Sequence, residues 1–152
     1  MAERTGKPLT RLSAFWDASA LVPLCVRQGA TPQAIALYKS YEVVVWWATS
    51  VEIASALACL VRMKQLATGE WSQAGRLATA LADAWSVVQP SDVLRTKATM
   101  LLNHFDLRAA DALQLAAALE WCGNAPQGRV FVAADRALLQ AAVLHGFDGK
   151  QV

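Results

Sequence analysis

The sequence predicts an α/β domain, a three-layer α/β/α arrangement with a parallel sheet in the middle. Three observations predict it. The chain has 152 residues, is 55% hydrophobic and only 17% charged, which suits one domain with a real core and not a disordered chain. Its β-branched and aromatic runs are short and continuously apolar, as strands covered on both faces are. Those runs alternate with helical segments, the pattern that builds parallel sheets. With no internal repeat, low-complexity tract or linker, the reading is one domain over residues 12–152, preceded by a polar and loose tail, Met1 to Arg11.

Leu12 to Trp16 is an apolar run with aromatic content, predicted as a buried strand ending at Asp17. Ala18 to Arg27 follows as a short helix stopped by Gly29. Thr31-Pro32 reads as N-cap and first helical position of a helix through Tyr41. Glu42 to Trp47 is β-branched and aromatic, a second strand. Thr49 or Ser50 is expected to cap a long helix to about Leu66, broken by Gly69. A further helix covers Glu70 to Trp85, with Trp71, Leu77, Leu81 and Trp85 at helical spacing. Val87-Val88 makes a short strand before Pro90. Ser91 starts a helix through His104, and an Ala/Leu-rich helix runs from Arg108 to Cys122. After a loop, Gly123 to Gly128, come a strand at Arg129 to Ala134, a helix from Arg136 to His145 ended by Gly146, and an edge strand at Phe147 to Val152.

The net charge of +2 permits a polyanionic partner without predicting one. No stretch is long and apolar enough for a membrane span, and the N-terminus lacks the apolar core of a signal peptide, so a soluble, cytoplasmic protein is expected. Cys25, Cys59 and Cys122 are dispersed and odd in number. They read as buried free thiols in a reducing compartment. His104 and His145 have no partner at metal-ligand spacing.

Four acids stand out because charge is scarce. Ligand sites in open α/β sheets form beyond the carboxyl ends of the strands. Asp17 and Asp135 sit at two such ends, directly before helices. Glu52 lies one turn into the helix after the second strand. Asp111 lies one turn into the Arg108 helix. Each has a plain reading as well. Asp17 and Asp135 could be helix N-caps, Glu52 could serve the helix dipole, and Asp111 could pair with Arg108 three residues back. Glu52 and Asp111, however, have apolar neighbours, and a buried carboxylate needs a partner. Two carboxylates about 5 Å apart repel by roughly 3 kcal/mol at an effective dielectric of about 20. A divalent cation removes that conflict. All-oxygen donors select Mg²⁺ or Mn²⁺ over zinc, and the chemistry that follows is metal-assisted phosphodiester hydrolysis.

The segments Phe15-Trp16-Asp17-Ala18-Ser19-Ala20-Leu21-Val22, Thr49-Ser50-Val51-Glu52-Ile53-Ala54-Ser55-Ala56-Leu57, Leu107-Arg108-Ala109-Ala110-Asp111-Ala112-Leu113-Gln114-Leu115-Ala116 and Val130-Phe131-Val132-Ala133-Ala134-Asp135-Arg136-Ala137-Leu138-Leu139 resemble, in that order, a PIN-domain ribonuclease, specifically a VapC-type toxin of a type II toxin–antitoxin system. The third segment is the most specific. The resemblance implies strand order 3-2-1-4-5 and Mg²⁺- or Mn²⁺-dependent cleavage of RNA. It implies metal-holding Asp17, Asp111 and Asp135, and Glu52 ordering metal or water. It implies a homodimer and a cognate antitoxin laid in an apolar groove, for which exposed tryptophans would be suited, although tryptophans are more often core. Ser19 matches a small hydroxyl residue near the site, or supports the helix start. Arg108 could fix Asp111 or touch RNA phosphate. Position 114 is Gln where many relatives carry His.

Two rivals stand beside this reading. One is a PIN-like module that binds RNA or protein without cutting it. The other is a phosphotransfer domain of receiver or haloacid-dehalogenase type. The latter wants a second Asp where Ser19 stands, and a receiver wants a paired acid and a late lysine that Lys150 does not match. Which RNA is cut is not legible. Arg27, Lys39, Arg62, Lys64, Arg95 and Lys97 read mainly as solvated charges.

Overall fold

The computed structural model describes residues 11–152. The tail read at Met1 to Arg11 lies outside the described residues except for Arg11, whose guanidinium donates to the carbonyls of Tyr38 (3.2 Å) and Lys39 (3.4 Å).

Twelve elements follow in order: β1 (Leu12–Trp16), α1 (Ala18–Cys25), α2 (Thr31–Ser40), β2 (Tyr41–Trp46), α3 (Thr49–Arg62), α4 (Thr68–Ala82), β3 (Ser86–Val88), α5 (Asp92–Leu102), α6 (Ala109–Trp121), β4 (Val130–Ala133), α7 (Arg136–His145) and β5 (Asp148–Gln151). The five strands form one sheet in the order β3-β2-β1-β4-β5. Every neighbouring pair is parallel, so each strand needs a crossover to reach its neighbour, and helices supply it.

The strands read as continuously apolar because successive side chains enter different layers. Phe15, Val44, Trp46, Phe131 and Ala133 join one core with α5, α6 and α7. Ala14, Trp16, Val43, Val45, Val130 and Val132 join the other with α1, α3 and α4. Within the first core Phe15 and Phe131 are stacked, 5.4 Å between ring centroids.

Several expectations need correction. Helix α3 ends at Arg62, short of Leu66, and the chain reverses at Lys64 with φ 57°. Gly69 does not break the helix: it lies inside α4, whose start is fixed by the Glu70 carboxylate accepting from the Ala67 N–H at 2.8 Å. Neither Thr49 nor Ser50 caps α3. The cap position is Ala48, without a side-chain bond, and the Thr49 hydroxyl is buried and engaged elsewhere. On α4 the buried residue is Ala74, while Trp71 and Leu77 are each 42% exposed. Cys122 is buried, but Cys25 is half-buried and Cys59 exposed. Of the six tryptophans, Trp16, Trp46 and Trp85 are core and Trp47 and Trp71 are exposed. Helix α7 ends as expected: Gly146 takes φ 115°, a left-handed cap. No helix among the described residues is long and apolar enough to cross a membrane.

Candidate active site

The carboxyl ends of β1 and β4 carry the first two acids. The Asp17 N–H donates to the Val132 carbonyl at 2.9 Å, so the β1–β4 ladder continues one residue past the strand. That bond sets Asp17 at the N-cap of α1, where its Oδ2 accepts from the Ser19 N–H at 3.1 Å and from the Ser19 hydroxyl. Asp135 caps α7, its Oδ1 accepting from the Leu138 N–H at 2.9 Å. The plain capping reading therefore holds for both. Capping occupies one oxygen of each, and among the described residues the other makes no hydrogen bond to protein.

Ser19 joins the pair. Its hydroxyl donates to Asp17 and accepts from the backbone N–H groups of Ala134 (2.9 Å) and Asp135 (3.2 Å). One side chain thus holds the β1–α1 junction against the β4–α7 junction.

Glu52 and Asp111 come from first turns: Glu52 on α3 after β2, Asp111 on α6. Both are partly exposed. Glu52 Oε2 accepts from Gln114 Nε2 at 3.0 Å, and the same nitrogen donates to Thr49 Oγ1 at 3.2 Å. Arg108, exposed at the α6 N-cap position, favours the ionised form of Asp111 through its backbone N–H and its charge. Among the described residues the two form no ion pair, so pairing across three residues is not how Asp111 is held.

Burial and neighbouring acids raise three of the four carboxyls. The Asp17 carboxyl is pushed up to about 6, chiefly by burial, against the Ser19 bonds and with repulsion from Asp111 and Asp135 added. Glu52 is pushed up to about 7, chiefly by burial, against the Gln114 bond and with repulsion from Asp17 and Asp111 added. Asp111 is raised by burial and then by Asp135, against Arg108. These couplings link all four acids at the carboxyl edge of β2, β1 and β4. Among the described residues, no three Asp, Glu, His or Cys side chains stand at the spacing that holds one ion. The donor set still fits a hard divalent cation: oxygens only, several with no protein partner among the described residues, and in Asp17, Glu52 and Asp111 burial and neighbouring acids oppose ionisation.

Gln114 and Thr49 are the members that sequence reasoning missed. The available signal was a lone amide three residues after Asp111 in a helix of Ala and Leu, hence on the same side. A cavity of about 990 Å³ lies between α5 and the ends of α6 and α7, and none of the four acids lines it.

Five parallel strands in this order between two helical layers, with acids at the carboxyl edge, define a PIN-like α/β/α fold. Solved structures share it. The chain is similar to FitAcB from Neisseria gonorrhoeae, with a TM-score of 0.66 at 14% identity over 89% of this chain and 96% of that one. PAE2754 from Pyrobaculum aerophilum gives 0.61 at 21% identity, over 91% and 89%. A chain of a toxin-antitoxin complex from Klebsiella pneumoniae gives 0.56 at 16% identity, over 81% and 87%. No protein-family model and no curated protein matches the sequence, so the likeness is one of fold.

Proposed function

We propose that this chain is a metal-dependent endoribonuclease and the toxin of a toxin–antitoxin pair. One observation carries the reading: four separate segments bring acids to one sheet edge, where Asp111 and Asp135 oppose ionisation of Asp17, Asp17 and Asp111 oppose that of Glu52, and Asp135 opposes that of Asp111. These four would hold Mg²⁺ or Mn²⁺. When bound, such an ion polarises the phosphoryl oxygen and makes an attacking water more acidic. The protein's own part is to position. Ser19 fixes Asp17 beside Asp135, and the caps at α1 and α7 fix one oxygen of each while the other meets no protein donor among the described residues. Arg108, exposed at the start of Asp111's helix, suits contact with an RNA phosphate.

The Klebsiella toxin-antitoxin complex supports a cognate antitoxin as partner. A homodimer and a cytoplasmic setting belong to the same reading. Incubation of the purified chain with total cellular RNA and Mg²⁺ or Mn²⁺ tests it. Cleavage lost on chelation and in Asp111→Ala upholds it; intact RNA in every condition sinks it.

A second reading, a PIN-like module that binds RNA or protein without cutting, draws on the lack of acids at ion-holding spacing among the described residues. Mn²⁺ titration separates the two, because only the nuclease requires saturable binding that Asp17→Ala removes.

A further inference from the structure

We propose that Gln114 is a positioning residue that holds Glu52 in register with Asp111 across the two layers of the fold. The inference rests on the metal reading of the acidic edge.

Glu52 and Asp111 belong to opposite sides of the sheet. Helix α3 packs through Ile53 and Leu57 into the core shared with α1 and α4. Helix α6 packs through Ala112, Leu115 and Ala116 into the core shared with α5 and α7. Two carboxylates carried by different layers have no common scaffold unless something bridges the edge. Gln114 does so. It sits one turn beyond Asp111 on the same helix, wholly buried, and its Nε2 donates to Glu52 Oε2 at 3.0 Å and to Thr49 Oγ1 at 3.2 Å. Among the described residues no other side-chain hydrogen bond joins α3 to α6. Thr49, wholly buried at the start of α3, anchors the amide from below Glu52.

The amide is a poor choice for packing alone. It lies among alanines and leucines, and its Oε1 is buried with no partner among the described residues. A buried acceptor without a donor is destabilising, and a methionine would fill similar space without it. A local rule broken in this way marks a functional demand. The donor side meets that demand. Partners that orient a metal's carboxylates typically govern affinity by 10- to 100-fold, about the range expected here.

Mn²⁺ affinity, measured by paramagnetic resonance without RNA, tests the assignment in four chains: wild type, Gln114→Met, Glu52→Gln and the double variant. Gln114→Met is expected to weaken Mn²⁺ binding about 10-fold in the wild-type background and to change little once Glu52→Gln is present, since Gln114 acts through Glu52. Gln114→His, which retains an N–H donor, is expected to recover most of the affinity, and it serves as the reporter should Gln114→Met fail to fold. Unchanged affinity in Gln114→Met, an equal loss in both backgrounds, or an unfolded Gln114→Met beside a Gln114→His with no Mn²⁺ affinity overturns the proposal. A wild type that binds no Mn²⁺ removes the metal reading together with this inference. A wild type that binds Mn²⁺ beside an indifferent Gln114→Met removes this inference alone.

Discussion

The two pairs of acids are built differently. Asp17 and Asp135 stand at the ends of adjacent strands of one sheet. Backbone N–H groups hold one oxygen of each, and a shared serine clamps both junctions. Glu52 and Asp111 stand on helices from opposite layers, cap nothing, and are partly exposed. One half of the edge is fixed by the sheet itself; the other is set by helix packing and a single amide.

The largest effect should separate the acids from their supports. Asp17→Ala and Asp111→Ala are each expected to lower metal-dependent RNA cleavage by more than about 100-fold, beyond what loss of an orienting partner does. Both should keep the cooperative melt of the wild type in calorimetry, since Asp17→Ala forfeits a cap worth about 1 kcal/mol but frees a buried charge.

The next concerns pH. Asp17 titrates near about 6 and Glu52 near about 7 in the folded chain, above ordinary carboxylates. The folded state therefore binds more protons than the unfolded state between about pH 4 and 7, and stability falls as pH rises through that window. For Asp17 the change is up to about 3 kcal/mol, at about 1.4 kcal/mol per pKa unit. Denaturant midpoints of metal-free protein should be higher at pH 5 than at pH 8, and Asp17→Asn should flatten the difference. A midpoint that rises steadily from pH 5 to 8 contradicts the burial assigned to these groups.

Ser19→Ala should cost about 1–3 kcal/mol, because the N–H groups of Ala134 and Asp135 lose their acceptor. Gln114→Met should destabilise less, since it removes an unpartnered Oε1 along with the donor. Urea titration of the two variants sharpens the contrast between the fixed and adjustable halves. Arg108→Ala should be mildest: a few-fold rise in KM for RNA at low ionic strength, fading in about 0.5 M salt as exposed charge is screened.

The strands and the four acids were legible because burial on both faces forces continuous apolar runs, and because charge is rare enough in this chain to stand out. The strand order came from the family resemblance, since periodicity says nothing about which strands neighbour. The start of α3 misled because a threonine before a helix looks like a cap, whereas Thr49 is buried and serves Gln114. On α4, the spacing of Trp71 and Leu77 marked an apolar face without revealing that α1 and α3 pack against this helix and that its buried residue is Ala74. Gln114 stayed unreadable because its meaning lies with partners more than sixty residues away in the chain.

The serine clamp has a consequence for how the chain matures. Its hydroxyl waits for amides 115 and 116 positions downstream, so nothing made early in synthesis can complete the acidic edge. A nascent chain carries Asp17 from the outset, yet remains without a finished centre until the β4–α7 junction emerges and docks.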